Sequence, residues 1–497
     1  MAEGHMILAA GALLAAALAA AAVAGRLRLP ALVLFLAVGM AVGSDGTGWI
    51  PFDDYELARQ VGIAALALIL FEGGLSADVA GIRSVLGSSL RLAVGGTIIT
   101  AVVAGLSATL LFGLSPVYGL LLGSILASTD TAAVFGLLRG STLRRRLANT
   151  LEGEAGFNDP VAVLLVVGFI EWIQTPNYNL LDMLALFGRE MFIGAVCGLT
   201  IGRLAAGALR RLRLPSPGLY PVASFAFAAL AFGTADTLRG SGFLAVYLAG
   251  LTLANATIPA RQTIAIFHDG LAWVSQLALF LMLGLLVFPG QLVGAMREGI
   301  LLALVLMFLA RPAAVLISTA VDRFSGAERV VLAWAGLRGG VPVVLATFPV
   351  TSGIAGSAEY FNIVFFAVLL TTLLQGTTFE EIASTLGLTA RRPLLPRPLT
   401  EYGTARRLGA EVVEYTVSIG DSIVGRTVQE LGLPRASRLT LIVRDGEAVP
   451  PTGSTRVRGG DTLHLVAREE IAVQLHSLLE RWRDPRWEAQ RGLARPA

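Results

Sequence analysis

Four short segments of an otherwise apolar chain carry ionisable side chains. They are Ser128-Thr129-Asp130-Thr131; the run with Glu152, Glu154 and Asn158-Asp159-Pro160; Gly336-Leu337-Arg338-Gly339-Gly340-Val341-Pro342; and Glu72 in Phe71-Glu72-Gly73-Gly74-Leu75. An ionisable group at bilayer depth costs about 2.5–3.5 kcal/mol on insertion scales, so several acids with one arginine mark a polar site. Of the pair at 158 and 159 only Asp159 titrates, since asparagine has no proton to lose. Burial favours its neutral form, and a bound monovalent cation favours its ionised form. Proton and cation then compete for one carboxylate. Alternating access of such a group to two sides of a membrane exchanges one ion for the other without a separate coupling device.

Each of these segments also breaks helical geometry. Pro160 lacks a donor and disfavours the helical region at Asp159, which predicts a bend there. Glycines surround Arg338, and hydroxyl residues surround Asp130. Broken helices at the midplane supply carbonyls and helix ends to an ion.

The elements that must hold these groups follow from composition. The chain has 497 residues, 55% apolar and only 15% charged. Ordinary soluble domains carry about 25% charge, and surface area falls too slowly with size to hide so much apolar matter. A soluble enzyme, a disordered chain and a coiled coil do not fit, and a polytopic membrane protein does. Net charge is only +3, which excludes a nucleic-acid footprint. All 38 basic residues are arginine. The single cysteine, Cys197, lies in an apolar segment and reads as a packed thiol.

Thirteen apolar stretches reach spanning length: 6–25, 30–46, 60–77, 85–112, 117–138, 150–171, 184–209, 219–237, 241–256, 270–289, 298–320, 328–350 and 360–386. Alternate loops carry arginine, as at Arg26 and Arg28, Arg83, Arg139 and Arg144 to Arg146, Arg210, Arg211 and Arg213, Arg261, Arg323 and Arg329, and Arg391 and Arg392. The other loops are acidic or neutral, as at Asp45, Asp53, Asp54 and Glu56. The arginine bias places the N-terminus outside and the C-terminus in the cytoplasm. The fifth and twelfth stretches lie seven apart and each precedes one more span, which suggests two six-span repeats joined by the seventh. Arg311-Pro312 in the eleventh stretch suggests an arginine bound to carbonyls beside a kink. His268, His464 and His476 are expected outside the spans.

These boundaries predict a transmembrane domain over 6–388 and a linker over 389–409 marked by Pro393, Pro396 and Pro398. A small α+β domain follows over 410–480, with a disordered tail over 481–497. Strands are expected at 411–417, 439–444 and 462–466, with helices at 423–431 and 468–481. A module of about 70 residues has a thin core. Val413, Tyr415, Val417, Leu439, Leu441 and Val443 are therefore expected to offer strand faces to a second copy.

LASTDTAAVF, LEGEAGFNDPVAV and GLRGGVPVVLA resemble the signature segments of the CPA1 family of monovalent cation/proton antiporters. Within it, the chain is most similar to the potassium/proton antiporters of the NhaP2 type, since its C-terminal module resembles an RCK-C (TrkA-C) domain. The resemblance implies an all-α membrane domain of about 13 helices in two inverted six-helix repeats with crossing broken helices. It implies that Asp159 carries the cation and proton, and that Asn158, Thr129 and Asp130 orient it. Glu72 resembles a third-span glutamate near the ion, and Glu154 with Arg338 resembles a buried structural ion pair. Glu154-Ala155-Gly156 departs from the usual Glu-Ser-Gly of Na⁺-type members, which removes a hydroxyl ligand and favours a larger cation.

The expected activity is electroneutral exchange of cytoplasmic K⁺, or Na⁺, for external H⁺ in a bacterial inner membrane. No enzymatic step and no cofactor is implied beyond the transported ions. The expected partners are membrane lipid, a second copy of the chain, and a small molecule at the C-terminal module. A Na⁺-selective antiporter is the alternative. An RCK-gated channel would need a carbonyl filter such as Thr-Val-Gly-Tyr-Gly, which the sequence lacks.

Overall fold

The computed structural model describes residues 2–27, 30–77, 79–130, 143–212, 214–389, 410–418, 420–444, 447–468 and 471–483. Thr131, Arg28, Arg139, Arg213, Arg391 and Arg392, the linker prolines Pro393, Pro396 and Pro398, and the tail from 484 lie outside the described residues. The chain divides into two compact units, Met1–Thr389 and Ala390–Ala497.

Among the described residues of the first unit, eight helices are long and apolar enough to cross a membrane, and shorter apolar helices accompany them. In chain order these are α1 (Ala2–Leu27), α2 (Ala31–Val42), α3 (Tyr55–Ser76), α4 (Val79–Leu90), α5 (Thr97–Phe112) and α6 (Pro116–Ile125). They continue with α7 (Arg145–Gln174), α8 (Leu180–Arg211), α9 (Leu219–Thr237), α10 (Gly242–Ala254) and α11 (Arg261–Leu285). The unit ends with α12 (Pro289–Val305), α13 (Arg311–Ser318), α14 (Gly326–Trp334), α15 (Gly340–Thr351) and α16 (Ser357–Thr385). Every expected apolar stretch therefore carries helix.

Local chemistry sets the helix ends. Asp54 caps α3 through the Leu57 amide at 2.9 Å. Asn179 with Asp182, and Ser325 with Glu328, form capping boxes that open α8 and α14. Gly113 closes α5 in the left-handed region, at φ +67°. Small residues let the helices touch backbone to backbone. A β-carbon at Gly74 of α3 would collide with the Tyr247 carbonyl of α10, and one at Gly123 of α6 would collide with α5 at Ala101 and Gly105.

The fourth and eleventh stretches share one irregularity. A π turn at Arg91–Gly96 separates α4 from α5, and a second at Leu306–Ala310 separates α12 from α13. Such turns are rare and mostly single bulges, so their occurrence seven stretches apart supports a repeated architecture. The helix breaks expected around Asp130 and Arg338 are present. Residues 126–130 follow α6 without helix, and 335–339 separate α14 from α15.

At Asp159 the chain stays helical, since α7 runs through Asn158, Asp159 and Pro160. Tertiary contacts on a buried helix override the local preference.

The second unit is a four-stranded antiparallel sheet in the order β1-β4-β2-β3, with β1 at Ala410–Thr416, β2 at Ser437–Arg444, β3 at Glu447–Val449 and β4 at Thr462–Arg468. A terminal helix, α17 (Ala472–Trp482), lays Leu475, Leu479 and Trp482 against Val413, Tyr415, Leu463 and Leu465. Three expectations change here. The helix expected at 423–431 is only a 3₁₀ turn at Val428–Leu431, ended by Gly432 at φ +69°. The tail does not begin at 481, because Trp482 is fully buried and donates to the Leu431 carbonyl at 3.1 Å. Val413, Tyr415, Val417 and Leu439 face the unit's own core rather than a partner. An irregularity between Leu439 and Leu441 shifts the alternation, so that Ile442 turns inward.

Asp461 fastens this unit. It accepts bonds from Arg444 Nε and Nη2, both at 2.8 Å, and from the Arg458 amide at 2.8 Å. Burial pushes its carboxyl up, but Arg444 and the Arg458 amide outweigh this and hold it below the usual range. A carboxyl lowered on folding stabilises above its unfolded pKa, and that stability is lost as pH falls through the folded value. Arg444→Met should therefore cost the unit about 2 kcal/mol at neutral pH. It should also flatten the acid limb of a melting-temperature–pH profile. An unchanged profile by circular dichroism would refute this role.

Candidate ion-binding site

The two unwound stretches meet. The Asp130 amide donates to the Leu337 carbonyl at 2.9 Å. Arg338 Nη1 donates to the carbonyls of Ala127 at 2.5 Å and Ser128 at 2.6 Å, just beyond the C-terminal end of α6. Carbonyls there have no intrahelical donor, and a helix C-terminus attracts a cation. The Thr372 hydroxyl of α16 donates to the Arg338 carbonyl. The Asp130 carboxylate fills the space beside Gly339, where any β-carbon would collide with it. Gly339 is the N-cap of α15, the positive end of that helix. Each broken end thus faces the opposite charge.

Against this crossing lies α7. The Ser128 hydroxyl donates to Asp159 Oδ1 at 2.7 Å. Asn158 Nδ2 donates to the Thr129 hydroxyl. Asp159 is 2% exposed and Asn158 1%. With its nitrogen turned to Thr129, Asn158 leaves Oδ1 buried without a hydrogen bond among the described residues. Hard cations take oxygen ligands, and the adjacent residues Asn158 and Asp159 both offer oxygen.

Glu72 is buried in α3 and accepts a bond from Ser76 at 2.7 Å. That bond lies within α3 and does not by itself bring Glu72 to the crossing.

The expected pair of Glu154 with Arg338 is not formed. Glu154 takes a two-pronged salt bridge from Arg311, with Nη1 to Oε1 and Nη2 to Oε2 at 2.9 Å. Arg311 Nη2 also donates to the Leu332 carbonyl in the last turn of α14, at 3.2 Å. The reason is positional. The Arg338 guanidinium is committed to the end of α6, whereas Arg311 leaves the π turn toward α7 and passes over Gly336, where a β-carbon would strike its side chain.

Sequence reasoning left Arg311 with carbonyls alone, and did not single out Ser128 as the partner of Asp159. The signal for Arg311 was a buried arginine with no assigned acid. His268, expected outside the spans, lies within α11, 1% exposed, and meets Ser224 at 2.8 Å.

Comparison with known proteins gives a consistent picture. Residues 13–385 match the family of sodium/hydrogen exchangers, transmembrane, and residues 412–479 match the TrkA-C domain. The chain is 37% identical over 478 residues to the K(+)/H(+) antiporter NhaP2 of Shewanella sp. (strain MR-4), which spans 94% of this chain and 82% of that one. It is 37% identical over 448 residues to the K(+)/H(+) antiporter NhaP of Alkalimonas amylolytica, over 89% of this chain and 77% of that one. It is 29% identical over 424 residues to the Na(+)/H(+) antiporter ApNhaP of Aphanothece halophytica, over 81% of this chain and 73% of that one. The fold matches the sodium proton antiporter MjNhaP1 from Methanocaldococcus jannaschii with a TM-score of 0.68 and 23% identity, over 77% of this chain and 99% of that one.

The pairing of Arg311 is directly testable. Arg311→Met leaves Glu154 buried without its cation and should cost about 3–5 kcal/mol of stability. Adding Glu154→Leu should recover part of the loss in thermal unfolding. Combining Glu154→Leu with Arg338→Met should recover nothing, and recovery there instead would reassign the pair.

Proposed function

The chain belongs to the sodium/hydrogen exchanger family, and we propose that it exchanges cytoplasmic K⁺ for external H⁺ by alternating access at Asp159. The reading rests on one observation above all. Asp159 is a buried carboxylate bonded to Ser128, beside an Asn158 oxygen that has no hydrogen bond among the described residues.

In the proton-loaded form Asp159 is neutral, which suits its burial. In the cation-loaded form the carboxylate and Asn158 Oδ1 hold the ion. The Thr129 hydroxyl, taking its bond from Asn158, fixes the amide so that oxygen rather than nitrogen faces the ion. Asp130 keeps the crossing in place through Gly339 and the Leu337 carbonyl. Glu72 lines the path to the site. Either load leaves the site with the same charge, so exchange is one for one and electroneutral. Arg338 adds no second proton, since a guanidinium stays charged at working pH.

K⁺ is preferred over Na⁺ because Ala155 brings no hydroxyl to tighten the site, and because relatives at 37% identity over most of the chain are named K(+)/H(+) antiporters. Na⁺/H⁺ exchange is the second reading, favoured by the name of the relative at 29% identity. The protein works as a homodimer in a bacterial inner membrane, N-terminus outside. Its C-terminal TrkA-C unit lies in the cytoplasm, takes a small ligand and sets activity rather than carrying ions.

Asp159→Asn should abolish exchange while the protein stays folded and inserted. Dequenching of a pH dye by added K⁺ in vesicles checks this, and a wild-type response would sink the assignment. The same vesicles given K⁺ or Na⁺ separate the two readings. Truncation after Leu388 should keep exchange but change its dependence on pH or a cytoplasmic ligand. A truncated protein that inserts stably yet is inert would place the unit within the transport machinery.

A further inference from the structure

Tyr247 sits in the middle of α10, outside the crossing, and is 1% exposed. Its phenol lies over Gly156 of α7, where a β-carbon would collide with both the ring and the hydroxyl. The ring meets Phe157 edge-on, with centroids 5.2 Å apart. On its other side, the Tyr247 carbonyl presses on Gly74 of α3, two residues after Glu72. Tyr247 therefore fills the seam between the helix of Glu72 and the helix of Asp159.

Side chains on a helix lean toward its N-terminus and cover the preceding turn. The Asp159 carboxylate thus leans over the turn that contains Gly156, and the phenol hydroxyl reaches that same turn. Buried tyrosine hydroxyls usually find a hydrogen-bond partner. Glu152 of α7, one turn before Gly156, acts on this phenol electrostatically. The hydroxyl is a polar oxygen set against α7, within a turn of the ion-carrying group.

We propose that Tyr247 is a specificity-determining residue of the exchange: its hydroxyl oxygen joins the ligands of the cation held at Asp159, while its ring keeps bulk water out of the seam. The role rests on Asp159 as the carrier. A larger cation, seated farther from the carboxylate, gains more from this second oxygen than a smaller one.

Tyr247→Phe keeps the ring over Gly156 and removes only the oxygen. In vesicles it should raise the apparent KM for K⁺ about tenfold, with a smaller change for Na⁺ and a maximal rate near that of the wild type. In detergent, the K⁺ concentration that raises the melting temperature should increase by a similar factor. This second readout holds even if transport is lost for another reason. An unchanged KM and unchanged K⁺-to-Na⁺ preference overturn the proposal. So does a lowered melting temperature in ion-free buffer with unchanged KM, which makes the residue packing alone. Asp159→Asn in the same assay separates the two failures. If it is inert and Tyr247→Phe behaves as wild type, only the role of the tyrosine falls. If Asp159→Asn still exchanges, both fall.

Discussion

A backbone that leaves the helix inside hydrocarbon must find partners for every N–H and C=O it exposes, because water cannot supply them. Among the described residues, this chain leaves the helix within apolar stretches after α6 and between α14 and α15. Each break serves the other. Arg338 from one satisfies the carbonyls of Ala127 and Ser128 in the other, and the Asp130 amide returns a bond to Leu337. Arg311 extends the same solution to Leu332 at the end of α14 while it neutralises Glu154. The guanidinium groups of Arg338 and Arg311 are thus tied to the backbone at the breaks.

That constraint shapes the site. With the Ala127 and Ser128 carbonyls engaged by Arg338, the side chains of the same stretch turn to α7. Ser128 reaches Asp159, and Thr129 reaches Asn158. The unwound segment therefore positions the carboxylate and sets the amide orientation at once. The two hydroxyls need no charge to do this, and Asp159 is the titratable member of these contacts.

Much of this was legible in residue types. Acids and an arginine in apolar runs, flanked by glycine, hydroxyl residues or proline, marked the segments that meet. What stayed hidden depended on distance across the fold. Glu154 had two arginines within its reach in sequence terms, and only the path of Arg311 past Gly336 decides between them. Pro160 carries a local preference that packing of α7 overrides. Leu441 follows the strand alternation on paper, but the irregularity beside Leu439 turns Ile442 inward instead. Tyr247 looks like any aromatic residue in an apolar helix until Gly156 is seen beneath it.

The claim at the centre is that a cation and a proton occupy Asp159 in turn. Proton release on cation binding tests it without any membrane. Purified protein in weakly buffered detergent, titrated with K⁺ at a pH where Asp159 is protonated, should release one proton for each ion bound, and Asp159→Asn should release none. K⁺ binding without proton release in the wild type, or release that persists in Asp159→Asn, would contradict competition at this carboxylate.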